Sequence, residues 1–190
     1  VPKPKYVKLF EDNNDNLKKL VELGLVDPAM QSVLDYLASP KLGAGSLELD
    51  RTGIQSLPNG LTVYGNLSLR DTPIKVLPHE LKVGGSLFLR GSRVETLPDD
   101  IQIGGNLDLY DTPIRSLPDG LKVGGYINLE GTPIERLPNG LKVGTTLYLR
   151  DSGITELPED LEVEEEIYMS GEQHRTVRIP ASLRKQVKFG

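Results

Sequence analysis

The chain has no cysteine, which excludes disulfide scaffolds, Cys-ligated zinc and a cysteine nucleophile over these residues and leaves the redox compartment unread. Imidazoles are nearly absent too, with only His79 and His174. Apolar residues make up 37% of the chain, against roughly 45–50% in an ordinary globular domain. No apolar run approaches the length of about 18 residues or more that a membrane span needs. The opening Val1-Pro2-Lys3-Pro4-Lys5 lacks the apolar stretch of a secretory signal. The expectation is a soluble protein, cytoplasmic or delivered into a host cell without a cleavable signal peptide. Charge of neither sign dominates: 22 Lys and Arg face 27 Asp and Glu, for a net −5, which fits one mildly acidic unit. Turn formers are plentiful, with 20 glycines and 14 prolines in 190 residues, and that argues against a helical bundle.

One pattern recurs every 20 residues from about residue 45 to 170. It opens with an alternating apolar pair: Leu47/Leu49, Leu67/Leu69, Leu87/Leu89, Leu107/Leu109, Ile127/Leu129, Leu147/Leu149 and Ile167/Met169. Alternation places one face of a strand inward and the other outward. A small hydroxyl residue follows (Thr52, Thr72, Ser92, Thr112, Thr132, Ser152), then a β-branched one (Ile54, Ile74, Val94, Ile114, Ile134, Ile154) and a Leu-Pro step such as Leu117-Pro118. A second alternating pair, such as Leu121/Val123, and a glycine corner such as Gly124-Gly125 close the unit. No unit of this size buries its own apolar side, so the units must stack into a solenoid with equivalent residues in ladders. Seven parallel strands at the usual spacing make a sheet on the order of 30 Å across. The hydroxyl column is expected to satisfy turn backbone groups between coils.

The motif Leu-x-Leu-x-x-Thr-x-Ile-x-x-Leu-Pro, as in Leu107 to Pro118, resembles the 20-residue leucine-rich repeat of bacterial secreted effector proteins. The resemblance covers about two thirds of the chain. It departs where Thr or Ser replaces the repeat's Asn, and in the Leu121 to Gly125 segment, which reads as a second short strand rather than an irregular arc. The Val-Gly-Gly-x-Leu-x-Leu variant is also similar to repeats of uncharacterised bacterial and phage-encoded proteins. The resemblance implies a leucine-rich-repeat-like solenoid, preceded by two helices and suited to protein recognition.

Open ends of a strand stack expose apolar ladders, so caps are expected. Residues 16–23 before Gly24 read as one short helix, and Asp27-Pro28 opens a second that runs to Ala38 before Pro40. Together, residues 10–43 form an expected helical hairpin. At the other end, residues 175–180 read as a last strand and residues 181–183 as a short helical cap. The division is 1–43 for the arm and helical cap, 44–170 for the solenoid and 171–190 for the C-terminal cap.

Residues that vary between otherwise equal units carry the functional information. Phe88, Tyr110, Tyr126, Tyr148 and Tyr168 all fall on the outward side of the Leu-x-Leu strands, interleaved with Arg70, Arg90 and Arg150 and with Asp108. Aromatic residues and arginine are enriched at binding hot spots. A purely structural sheet would favour Thr, Val and Lys there, although cross-strand aromatic pairs also stabilise sheets. These nine residues are the candidate protein-binding site.

Lys82, Lys122 and Lys142 form a broken basic row on another side, best read as a solvated edge that discourages sheet-to-sheet sticking. Acidic residues between Glu156 and Glu166 face a basic tail that includes Arg175, Arg178 and Lys188, which fits complementarity between the last coil and its cap. Neither histidine has a partnered nucleophile, Gly-Gly pairs lack a following Gly-Lys-Ser/Thr, and Asn66-Leu67-Ser68 lies within a strand. The net negative charge and the absence of a sustained basic stripe disfavour nucleic acid. The sequence therefore points to a non-enzymatic scaffold, without cofactor or metal, that binds a protein partner. Two alternatives are a recognition module of a larger effector enzyme and a phage or mobile-element inhibitor that masks a host enzyme.

Overall fold

The computed structural model describes residues 45–190 together with Met30, Ser32, Val33, Asp35 and Tyr36. Its strands are two or three residues long and alternate along the chain between two sheets. One sheet holds β1 (Leu47–Glu48), β3 (Leu67–Ser68), β5 (Leu87–Phe88), β7 (Leu107–Asp108), β9 (Ile127–Asn128), β11 (Leu147–Tyr148), β13 (Ile167–Met169) and β14 (Val187–Phe189), in that spatial order. The other holds β2 (Thr62–Val63), β4 (Lys82–Val83), β6 (Gln102–Ile103), β8 (Lys122–Val123), β10 (Lys142–Val143) and β12 (Glu162–Val163). The result is a parallel β-solenoid of about seven turns.

All strand pairs are parallel, and partners lie 20 residues apart, from Leu47 opposite Leu67 to Ile167 opposite Val187. The period in the sequence is thus the circumference of one coil. Amide N–H groups of one coil donate to carbonyls of the next at about the same length throughout: Leu67 to Ser86 at 2.9 Å, Leu87 to Asn106 at 2.8 Å and Leu107 to Tyr126 at 2.8 Å. Inside, the two sheets and the Ile/Leu side of each coil enclose one continuous core. Leu69, Leu89, Leu109, Leu129 and Leu149 are fully buried in one column, and Ile74, Val94, Ile114 and Ile134 in another.

Each corner has its own chemistry. After the first strand the chain turns through a residue with positive φ: Arg51, Asp71, Gly91, Asp111, Gly131 or Asp151. Asp and Gly tolerate this left-handed conformation better than most residues. The hydroxyl column then donates backwards: the Oγ1 atoms of Thr52, Thr72, Thr112 and Thr132 and the Oγ of Ser152 each lie 2.7 Å from the carbonyl three residues earlier. These bonds close the turn within one coil, whereas the sequence suggested links between coils. A Thr or Ser hydroxyl reaches its own turn more easily than the coil above. Ser92 is the exception, since its buried Oγ meets no partner.

At the corner between the second strand and the next coil, backbone packs directly on backbone. A Cβ at Gly124 would collide with the Gly104 carbonyl oxygen, and the same holds for Gly104 over Gly84 and Gly144 over Gly124. Glycine is therefore required by close approach. The amides of Gly85, Gly105 and Gly125 meanwhile donate to the carbonyls of Gly65, Gly85 and Gly105 at 2.8–3.0 Å.

The C-terminal end differs from the sequence expectation. The last strand is β14, one more rung of the first sheet, and not residues 175–180. Val187 and Phe189 around Lys188 repeat the apolar-x-apolar pattern without leucine, and β14 satisfies the outer backbone of β13. Residues 173–175 form a 3-10 turn, Arg178 bridges Glu156, and residues 181–186 are turns rather than a helical cap. Two glutamine side chains bond backbone carbonyls between Leu149 and Val163. Gln173 Nε2 donates to the carbonyls of Leu149 and Ser152 at 3.1 and 3.2 Å, and Gln186 Nε2 donates to the Val163 carbonyl. In earlier coils the equivalent carbonyls of Val63, Val83, Val123 and Val143 receive a backbone amide from the following coil. A side-chain amide supplies that donor where residues 181–186 form turns in place of another strand of the second sheet.

At the N-terminal end no continuous α-helix is present among the described residues, so the expected helical cap is not supported. Met30, Ser32, Val33, Asp35 and Tyr36 have helical backbone, and the rest of residues 1–44, with the remainder of the expected hairpin, lies outside the described residues. Val33 is fully buried, and Met30 and Tyr36 pack on the same core. The Tyr36 hydroxyl donates to the Gly45 carbonyl at 3.2 Å and accepts the Tyr64 amide at 3.1 Å.

Because Leu109 is fully buried in the middle of its column, Leu109→Ala should lower unfolding stability by about 2–5 kcal/mol through the cavity it leaves. Chemical denaturation followed by circular dichroism measures this, and an unchanged midpoint would contradict the register.

Candidate functional site

The outward face of the first sheet is built from three adjacent columns. The column that enters the strand, Ser46, Asn66, Ser86 and Asn106, stitches coils together. The Asn66 amide donates to Ser46 Oγ at 3.0 Å, Ser86 to Asn66 Oδ1 at 2.8 Å, Asn106 to Ser86 Oγ at 3.0 Å and Tyr126 to Asn106 Oδ1 at 3.0 Å. The stitching stops at Tyr126, whose ring has no comparable acceptor to offer the next coil.

From Tyr126 onward, rings take over. Tyr126 meets Tyr148 edge to face with centroids 5.9 Å apart, and Tyr148 stacks on Tyr168 at 5.4 Å with planes 11° apart. Such pairs contribute roughly 0.5–1.5 kcal/mol beyond their burial. Arginines cover Phe88 and Tyr110 and also reach Tyr168. The guanidinium of Arg70 lies 4.1 Å from the centre of Phe88, that of Arg90 4.3 Å from Tyr110 and that of Arg150 5.2 Å from Tyr168. Each such contact is worth about 0.5–1 kcal/mol at a solvated site.

All nine residues singled out in the sequence therefore lie on one face, in two groups. Arg70, Phe88, Arg90, Tyr110 and Asp108 occupy the N-terminal part; Tyr126, Tyr148, Tyr168 and Arg150 the C-terminal part. The rings are half-buried, by one another or by an arginine, rather than fully exposed. Asp108 does not reach an arginine; its Oδ1 accepts the Tyr110 amide at 3.1 Å and fixes the start of the turn.

Acidic residues outside the predicted set orient two of the arginines. Asp50 pairs with Arg70 at 3.5 Å, accepts the Arg70 amide at 2.9 Å and accepts the Ser68 hydroxyl. Glu130 pairs with Arg150 at 3.5 Å. Both acids precede their arginine by 20 residues, so reading down the column, rather than along the chain, exposes them. Tyr168 Oη donates to Glu166 at 2.5 Å, and Lys188 stands 3.7 Å from the same carboxylate.

The carboxylate of Glu166 holds the Tyr168 phenolic proton and raises its pKa above the ordinary value near 10. Burial raises that of Tyr126 as well, helped by the negative charge of Asp108. Both phenols stay neutral donors across the physiological range.

The other features are outside this face. On the second sheet Lys82, Lys122 and Lys142 are exposed, and Lys142 pairs with Glu162 at 2.7 Å. The acidic end meets the tail through Arg178, 3.9 Å from Glu156 and 3.7 Å from Glu159. His79 stands in an exposed turn with Nδ1 3.8 Å from Asp100, and the side chain of His174 lies outside the described residues. Among the described residues no cluster of His, Asp or Glu could hold a metal ion, and no helix is long and apolar enough to cross a membrane.

No protein-family model, curated protein or solved structure matches the chain.

Glu166→Gln should bring the Tyr168 pKa down toward the ordinary value, because the neutral amide no longer repels phenolate. Ultraviolet titration of phenolate absorbance in the two proteins tests this. Superimposable titration curves would contradict the Tyr168–Glu166 contact.

Proposed function

We propose that the protein is a non-enzymatic, leucine-rich-repeat-like interaction scaffold that binds a protein partner through the outward face of its first sheet. One observation carries this reading: five aromatic rings share a single face, and every one of them is held by a stacking, edge or cation–π contact. Ordering side chains at an interface costs roughly 0.5–1.5 kcal/mol for each rotamer-rich group. Rings and guanidiniums already fixed by the scaffold avoid most of that cost. The parallel strands beneath supply a rigid base, and core columns leave no need for these residues in folding the interior.

The same contacts stabilise the sheet, but a sheet of this kind needs only β-branched or simple polar residues outside. The concentration of Tyr, Phe and Arg, the types that dominate binding energy at protein interfaces, supports recognition. The interspersed Asp50, Asp108 and Glu130 support a protein surface over a nucleic-acid backbone as the partner.

The test is affinity capture from a lysate of the native host, comparing the wild type with a Phe88→Ala, Tyr110→Ala and Tyr148→Ala triple variant by mass spectrometry. Thermal unfolding of the variant should remain cooperative, since all three side chains lie outside the core. The proposal predicts a protein captured by the wild type and lost by the variant. Equal capture by both would place the binding surface elsewhere.

A further inference from the structure

Arg90 differs from the other two arginines of the face. Arg70 follows Asp50 by one coil and pairs with it; Arg150 follows Glu130 by one coil and pairs with it. Arg90 follows Arg70, and the next residue in the column is Tyr110. Among the described residues no carboxylate lies within ion-pairing distance of Arg90 and no protein acceptor meets its guanidinium N–H groups; the guanidinium lies on the Tyr110 ring at 4.3 Å. The side chain is exposed, while its two counterparts are partly covered. A guanidinium has five donors in a fixed fork that suits a carboxylate. Here that fork is flattened on a ring, oriented, and without its acid.

We propose that Arg90 is the receptor for an Asp or Glu side chain of a protein partner, with the Tyr110 ring holding its guanidinium in place. This rests on the reading of the face as a protein-binding surface. Charge complementarity selects the occupant. Arg70 and Arg90 are neighbours in one column, and Asp50 pairs only with the first, so the Arg90 guanidinium is left without a carboxylate of its own. A single carboxylate matches it. A polyanion does not, because Asp108 and Glu130 lie on the same face and would repel successive phosphates. The partner segment supplies the acid that the column lacks, in the role Asp50 has for Arg70.

The experiment uses the full chain as bait for a random-peptide phage library, with binding of the selected synthetic peptides measured by calorimetry. Peptides whose binding is lost in Phe88→Ala or Tyr148→Ala are bound at the face. The inference expects these peptides to carry an Asp or Glu, and Arg90→Ala to weaken them by about 10- to 100-fold, as for a hydrogen-bonded charge pair. Arg90→Lys should fall between, since it keeps the charge and loses the fork. Replacing the peptide's acid by its amide should cost the wild type a similar factor and cost Arg90→Ala nothing further. Affinity should also drop with added salt, as it does for a solvated pair.

Face-dependent peptides that are indifferent both to Arg90→Ala and to amidation of their own acids would overturn the role of Arg90 and leave the face as a binding surface. If no selected peptide depends on Phe88 or Tyr148, the binding reading fails and Arg90 falls with it. Arg90 is exposed and gives up one cation–π contact with Tyr110, so the unfolding midpoint of Arg90→Ala should fall by no more than about 4 °C, which separates lost binding from lost structure.

Discussion

The constraint on which everything else depends is that each residue lies directly over its equivalent 20 positions away. Parallel pairing in both sheets enforces it, and the glycine corner makes it exact in the vertical direction by letting one backbone rest on the next. A coil of different length would shift one sheet against the other and turn a core column outward. Once the register is set, a side chain's neighbours are its own homologues, and interactions become columns. Apolar columns fill the interior, hydroxyls close turns, and Ser/Asn or ring columns tie coils together on the outside.

This columnar arrangement explains how the outer face is organised. Position 126 is where the stitching changes character. Up to Asn106, side-chain acceptors receive the amide of the next coil; from Tyr126 on, ring contacts do the work of cohesion. Acid-then-arginine order down a column makes an ion pair, as at Asp50/Arg70 and Glu130/Arg150, and arginine-then-arginine leaves one guanidinium uncompensated. Ion pairs that stay partly open to solvent add little to stability, about 0–1 kcal/mol each. Their larger effect is to fix geometry on the surface.

The core and both sheets were legible because they obey two strong periods at once, two residues along a strand and 20 along the chain. The Leu107/Leu109 and Leu121/Val123 pairs satisfy both. The nine face residues were legible as a set, since alternation alone sends them outward. Their contacts were not: the pairing of Glu130 with Arg150, or of Glu166 with Tyr168, depends on side chains meeting across coils. The stitching column escaped notice because Ser46, Asn66, Ser86 and Asn106 share acceptor chemistry and not residue type. The last strand was missed for a similar reason, since Val187-Lys188-Phe189 keeps the spacing and drops the leucines. The hydroxyl column was found, but its partner was misassigned, because a turn three residues away is nearer than a neighbouring coil.

The most direct test of this account is residue-resolved amide hydrogen exchange by NMR. The register predicts slow exchange recurring every 20 residues, at Leu67, Leu87, Leu107, Ile127 and Leu147 and at Leu69, Leu89, Leu109, Leu129 and Leu149, each of which donates to the following coil. Exposed turn positions between them should exchange quickly. Protection confined to isolated segments, or recurring with any other period, would contradict the stacked solenoid and every surface column derived from it.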